Sequence, residues 1–185
     1  DMIEIGTPPP ANDDCNDAQS VGEGTYSFST DGATTDGGSL SSCSGAGMAH
    51  NDIWFEYTPD CDGTVTISTC NNADFDTVIA VYDSNSACPP WSSDQLGCND
   101  DTVGCSDNTS ELVIDLAADE PYKIRVGSFD SNSAGDGELS ISISSYVAND
   151  TCDIAETIGE GQTSVDTDCS ATEGSECGQM YFNDV

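Results

Sequence analysis

Apolar positions along this chain fall into short runs, several of which alternate with polar ones. Tyr26 and Phe28 alternate with Ser and Thr over residues 25–30, Val65 and Ile67 over 64–69, and Leu139, Ile141 and Ile143 over 138–144. A period of two belongs to a strand with one face on a core and the other in water. Residues 53–57, 112–116 and 122–127 are further short runs rich in Ile, Val, Leu and aromatics. Val78-Ile79-Ala80-Val81-Tyr82 is apolar at every position, which predicts a strand over 77–82 that is buried on both faces and central to the core. A helical period holds only around Ala18 to Val21, for about a turn or two. Gly, Asp, Asn and Ser fill the intervals. This punctuation predicts an all-β fold, an antiparallel β-sandwich of jelly-roll or immunoglobulin-like type, with strand order left open.

One motif occurs twice. Ala11-Asn12-Asp13-Asp14-Cys15-Asn16-Asp17-Ala18, followed by Val21 and Gly22-Glu23-Gly24, returns as Ala148-Asn149-Asp150-Thr151-Cys152-Asp153-Ile154-Ala155, followed by Ile158 and Gly159-Glu160-Gly161, at a constant offset of 137 residues. Thr35-Asp36-Gly37 returns as Thr172-Glu173-Gly174, and Ile53-Trp54-Phe55 as Met180-Tyr181-Phe182. Such spacing is the signature of a tandem module. The expected organisation is a strand end with a Pro-rich linker over 1–10, a complete sandwich over 11–147, and the N-terminal part of a second copy over 148–185. A partial copy carries an apolar face and open strand edges: it reads either as an excerpt of a longer tandem array or as a tail that docks head to tail on another copy in a surface fibre, and the expected partners are other copies of the chain or neighbouring repeats.

Charge is one-sided. Against 35 Asp and Glu stand only Lys123 and Arg125, for a formal net charge of −33. A surface of that sign repels nucleic acid and anionic lipid and attracts cations. No apolar stretch approaches membrane-spanning length. Lys123 and Arg125 share a strand face by period two and offset acid charge there rather than bind phosphate.

Ten cysteines beside a single histidine, His50, and without a paired CxxC pattern read as the disulfide framework of an oxidising compartment rather than as zinc ligands. The chain is accordingly expected to be secreted, extracellular or on the cell surface. Short loops suggest Cys98 with Cys105 and Cys70 with Cys88, and the joint return of Cys15 and Cys43 as Cys152 and Cys177 suggests that Cys15 pairs with Cys43. Cys61 and Cys169 remain, to join each other or other chains. Asn108-Thr109-Ser110 and Asn149-Asp150-Thr151 have the form of glycosylation sequons.

Asn12-Asp13-x-Cys15-x-x-Ala18, Thr34-Thr35-Asp36-Gly37, Asp52-Ile53-Trp54-Phe55-x-Tyr57-Thr58, Gly63-Thr64-Val65-Thr66-Ile67, Phe75-Asp76-Thr77, Asn99-Asp100-Asp101 and Ile124-Arg125-Val126-Gly127 form an ordered series. In order and spacing it resembles the cysteine-containing modules of the bacterial pre-peptidase C-terminal (PPC-like) family. The resemblance covers residues 11 to 147 and restarts at 148. It implies a calcium-associated β-sandwich, commonly in tandem on large secreted or surface proteins, that serves attachment rather than chemistry. Some relatives attached to proteases bind collagen or other polymers.

Asp74 and Asp76 enter the apolar run at 78–82, and Asn99, Asp100 and Asp101 lie on the next acidic turn. If the two segments are sheet neighbours, these side chains converge at one end and supply oxygen ligands to Ca²⁺, which takes six to eight. The plainer account is a capped turn and an Asx-turn run. Catalysis finds no motif: carboxylates are too many for a glycosidase-like pair to be specific, and His50 stands in a Gly/Ala-rich loop without a nucleophile pattern. Trp54 reads as core, whereas Trp91, after Cys88-Pro89-Pro90, packs over a disulfide or stacks on a sugar or a partner surface. The expected function is a non-enzymatic extracellular structural or adhesion module, stabilised by calcium. The alternative is a carbohydrate- or protein-binding accessory module of a secreted hydrolase, with an extracellular polymer or glycan as partner.

Overall fold

In the computed structural model, residues 7–41, 43, 45–83 and 87–145 are described. Among them nine strands form: β1 (Gln19–Val21), β2 (Gly24–Ser29), β3 (His50–Tyr57), β4 (Gly63–Ser68), β5 (Thr77–Asp83), β6 (Gln95–Asn99), β7 (Glu111–Leu116), β8 (Tyr122–Ser128) and β9 (Asp136–Ser145). They make two sheets, β1-β3-β8-β5-β6 and β2-β9-β4-β7. Every neighbouring pair is antiparallel except β1 with β3. The protein is an all-β sandwich.

The alternating strands do what their period requires. Val65 and Ile67 of β4, Leu112 and Leu116 of β7, and Leu139 and Ile141 of β9 meet Ile53, Phe55, Ile79, Val81, Ile124 and Val126 of the five-stranded sheet in one buried cluster. Removing that apolar surface from water is the main favourable contribution to the fold. A second cluster, with Cys15, Leu40, Cys43, Ala49, Trp54, Val78, Ala80 and Tyr82, covers the outer face of the five-stranded sheet. Its cover is chain from the N-terminal segment and from the connection between β2 and β3. Two clusters explain why β5 is apolar throughout: Ile79 and Val81 point inward, and Val78, Ala80 and Tyr82 lie beneath the cover.

Four expectations need correction. The middle of the five-stranded sheet is β8, with β5 beside it. The segment around Ala18 to Val21 is a 3-10 turn at Cys15–Asp17 followed by β1, not an α-helical turn. β1 and β6 were not expected as strands. β6 has no apolar alternation because Gly97 sits where the sheets close, and a Cβ there would come 3.1 Å from Ile114 Cδ1. His50 opens β3 rather than lying in a loop.

The disulfides also differ from expectation. Cys15 joins Cys88, Cys43 joins Cys98 and Cys70 joins Cys105, in place of Cys15 with Cys43, Cys70 with Cys88 and Cys98 with Cys105. Cys70 precedes β5 and Cys88 follows it, so seven strand residues, about 23 Å of extended chain, hold them at opposite ends of the sheet. Cys61 is disulfide-bonded as well. The expectations for the strand end before residue 7, for Cys152, Cys169, Cys177 and Asn149, and for the second copy at 148–185 lie outside the described residues.

Candidate cation site

β5 and β6 are antiparallel neighbours, with Ile79 opposite Asn99. The residue before β5 and the two after β6 therefore meet at the same end of the sheet. One carboxylate oxygen from each of Asp76, Asp100 and Asp101 lies within 4.8 Å of the others. Asp100 is 3 % exposed, Asp76 is half-buried and Asp101 faces solvent.

Two expected ligands are engaged by other groups. Asp74 Oδ1 accepts the amide of Asp136 at 3.0 Å. Asn99 Oδ1 accepts the Thr102 hydroxyl at 3.0 Å and the Glu111 amide at 3.2 Å, so Asn99 closes a turn as an Asx motif does.

Hydroxyls fix the geometry from below. The buried Ser110 places its Oγ within donating distance of the carbonyls of Thr77, Asn99 and Asp100. Its amide donates to Thr77 Oγ1 at 3.0 Å, and Thr77 Oγ1 shares a 2.6 Å hydrogen bond with Thr69 Oγ1. The start of β5 and the end of β6 are thus tied through one side chain. On the other side, the Ala46 backbone amide lies near the Asp100 carboxylate and opposes the rise of its pKa. Gly45, at φ +110°, carries the chain past it in a conformation that a side chain would strain.

The electrostatics are unbalanced. Burial, then Asp101, then Asp76 push the Asp100 carboxyl up to about 6. Burial pushes Asp76 up as well, opposed by the hydrogen bond from Asn108 Nδ2 at 3.4 Å and reinforced by Asp101. Asp76 Oδ1 and Asp100 Oδ1 are buried with no hydrogen-bond partner. Buried acceptors without donors are costly, and a cation among oxygens relieves both that cost and the like-charge repulsion. The donor set is oxygen alone, which suits a hard divalent ion such as Ca²⁺.

The other marked residues are dispersed. Asn108 is at the rim of this cluster, while Thr109 and Ser110 of its sequon are buried. Trp54 is fully buried and Trp91 is 73 % exposed. Lys123 pairs with Glu56 at 2.6 Å on the surface. Arg125 offsets acid charge as expected, but inside the fold: it is fully buried, with Nε 2.9 Å from Oδ2 of the fully buried Asp52. Its other nitrogens donate to the Gly38 and Ala49 carbonyls at 2.8 and 2.6 Å, and it lies over the Trp54 ring. The sequence carried no signal for Asp52, Ala46 or Ser110 as supports, because each acts on a residue far from it in the chain.

The family model described as galactose binding domain-like, with T9SS association in its name, matches residues 11–143. No curated protein matches the chain significantly. Similar solved structures include the pre-peptidase C-terminal domain of collagenase from Bacillus anthracis, at 13 % identity and a TM-score of 0.45, over 74 % of this chain and 99 % of that one. PliG of Aeromonas hydrophila, a periplasmic inhibitor of g-type lysozyme, matches at 15 % identity and a TM-score of 0.38, over 69 % of this chain and 97 % of its own. CorA of Methylomicrobium album BG8, a surface-associated copper-binding protein, matches at 11 % identity and a TM-score of 0.43, over 69 % and 98 %.

Proposed function

This chain belongs to the T9SS-associated galactose binding domain-like family, and from that premise we propose that it is a non-enzymatic extracellular attachment module whose loop end is held by a calcium ion. The observation that carries the calcium is the meeting of Asp76, Asp100 and Asp101 with two buried oxygens lacking partners. A family described by binding rather than catalysis supports the non-enzymatic role. The disulfides and the T9SS association support a secreted or surface location. Return of the opening motif at residue 148 supports use in tandem. A fibre of such modules is the finer form of the same reading, with strand edges of one copy docking on the next.

The test is thermal melting of the full chain in chelator, in millimolar calcium, and in sodium chloride of equal ionic strength. Binding to the native state alone stabilises by about 2.7 kcal/mol at a hundredfold excess over the dissociation constant. Calcium should raise the melting temperature well beyond sodium. Coincident curves in chelator and calcium, or equal rescue by sodium, would overturn the calcium assignment.

A further inference from the structure

A cleft of about 600 Å³ lies on the cover of the second core cluster, between Asp36 and Ser39 on one wall and Cys88, Pro89, Pro90 and Trp91 on the other. Trp91 presents its indole there at 73 % exposure. The segment carrying it is anchored, because Cys88 is cross-linked to Cys15 and Pro90 is buried. A large apolar ring kept in water by an anchored backbone is a feature of recognition surfaces rather than of cores.

Asp36 is equally constrained. Its Oδ1 accepts from Trp54 Nε1 at 2.8 Å and its Oδ2 from the Cys15 amide at 3.1 Å. Both donors are neutral, so the carboxylate is oriented without an ion-pair partner of its own. Arg125 is committed to Asp52 and to the Gly38 and Ala49 carbonyls.

We propose that this cleft binds an arginine or lysine side chain of a basic polypeptide, with the cation against the Trp91 face and its N–H donors on Asp36. The ionised Asp36 carboxylate only accepts hydrogen bonds, and guanidinium and ammonium groups only donate them. An indole face attracts a cation set within about 6 Å of its centroid. The net charge of −33 concentrates polycations around the chain and turns anions away. A second copy of the chain does not fit as the occupant, since its only cations, Lys123 and Arg125, are held by Glu56 and Asp52.

The test titrates the full chain, in calcium, with the eight-residue peptide (Arg-Gly)4, followed by calorimetry and by tryptophan fluorescence. Trp54 is buried but hydrogen-bonded to Asp36, so the part of the fluorescence change that disappears in Trp91→Ala is what reports on Trp91. Trp91→Ala should weaken binding about tenfold, equivalent to the loss of one cation–π contact, at an unchanged melting temperature, and Trp91→Phe should recover part of it. Equal binding by Trp91→Ala and the parent would show diffuse attraction to the acidic surface and overturn the proposal. So would Trp91-dependent binding of a neutral galactan oligosaccharide without peptide binding, or no binding of the peptide at all. None of these outcomes bears on the calcium assignment, which melting decides separately.

Discussion

Gly37 lies flat against the guanidinium of Arg125: a Cβ at this position would overlap Arg125 Cζ, and the Gly37 amide donates to Asp52 Oδ2 at 3.3 Å. The buried ion pair is thus closed on one side by Trp54 and on another by backbone that has no side chain. Gly37→Ala should cost about 1–3 kcal/mol by overpacking. Arg125→Met, which leaves Asp52 buried and unpaired, should cost about 3–5 kcal/mol. Urea denaturation with unchanged m-values measures both, and a neutral result for Arg125→Met would mean that the cover over Trp54 does not depend on the pair.

Asp52 also sets a pH dependence. Burial pushes its carboxyl up to about 6, with Arg125 opposing and Asp36 adding to the rise, whereas an unfolded aspartate titrates near about 3.9. Between those values the folded chain binds more protons than the unfolded one, so stability from this group falls as pH rises through that window. Asp100, pushed up to about 6 as well, contributes with the same sign when no cation is bound. In chelator, the melting temperature should therefore rise as pH is lowered from 7 to 5, and Asp52→Asn should flatten part of that slope. A melting temperature that falls steadily over this range would contradict the sign.

The three carboxylates should separate by burial. Asp101 is exposed, so Asp101→Asn should leave the melting temperature in chelator within about a degree of the parent and reduce the calcium increment. Asp100→Asn removes the buried charge, so it should raise stability in chelator at pH 7 and abolish the response to calcium. Asp74→Asn, whose side chain caps the Asp136 amide away from the cluster, should leave the calcium response intact. A calcium response lost in Asp74→Asn but kept in Asp101→Asn would put the ion elsewhere.

Disulfide connectivity can be read directly. Peptide mapping without reduction should recover Cys15 with Cys88, Cys43 with Cys98 and Cys70 with Cys105. Replacing Cys70 and Cys105 together by Ser should cost about 2–4 kcal/mol, since the bond closes a loop of 35 residues in the unfolded chain. Recovery of Cys98 joined to Cys105 would require a different packing of the loop between β6 and β7.

What the sequence determined by itself is local. The period of two in β2, β4 and β9 states which side chains face the core, and the uninterrupted run in β5 states that both its faces are covered. The meeting of Asp76 with Asp100 and Asp101 was legible only as a condition, because β6 carries no apolar alternation that marks it as the neighbour of β5. Tertiary structure decided what depends on register and on distant chain. Asp74 and Asn99 share the motif of the cluster, yet backbone amides of Asp136 and Glu111 claim them. Cys88 sits closer in sequence to Cys70 but in space beside Cys15, since a strand carries its two ends apart. Arg125 shows an ordinary strand position, and only the docking of Gly37, Ala49 and Asp52 around it turns a surface-type charge into the buried fastening of the second cluster. Periodicity records the environment of each residue, whereas the identity of its neighbour depends on which strands pair and in what alignment, and that is settled by the folded chain as a whole.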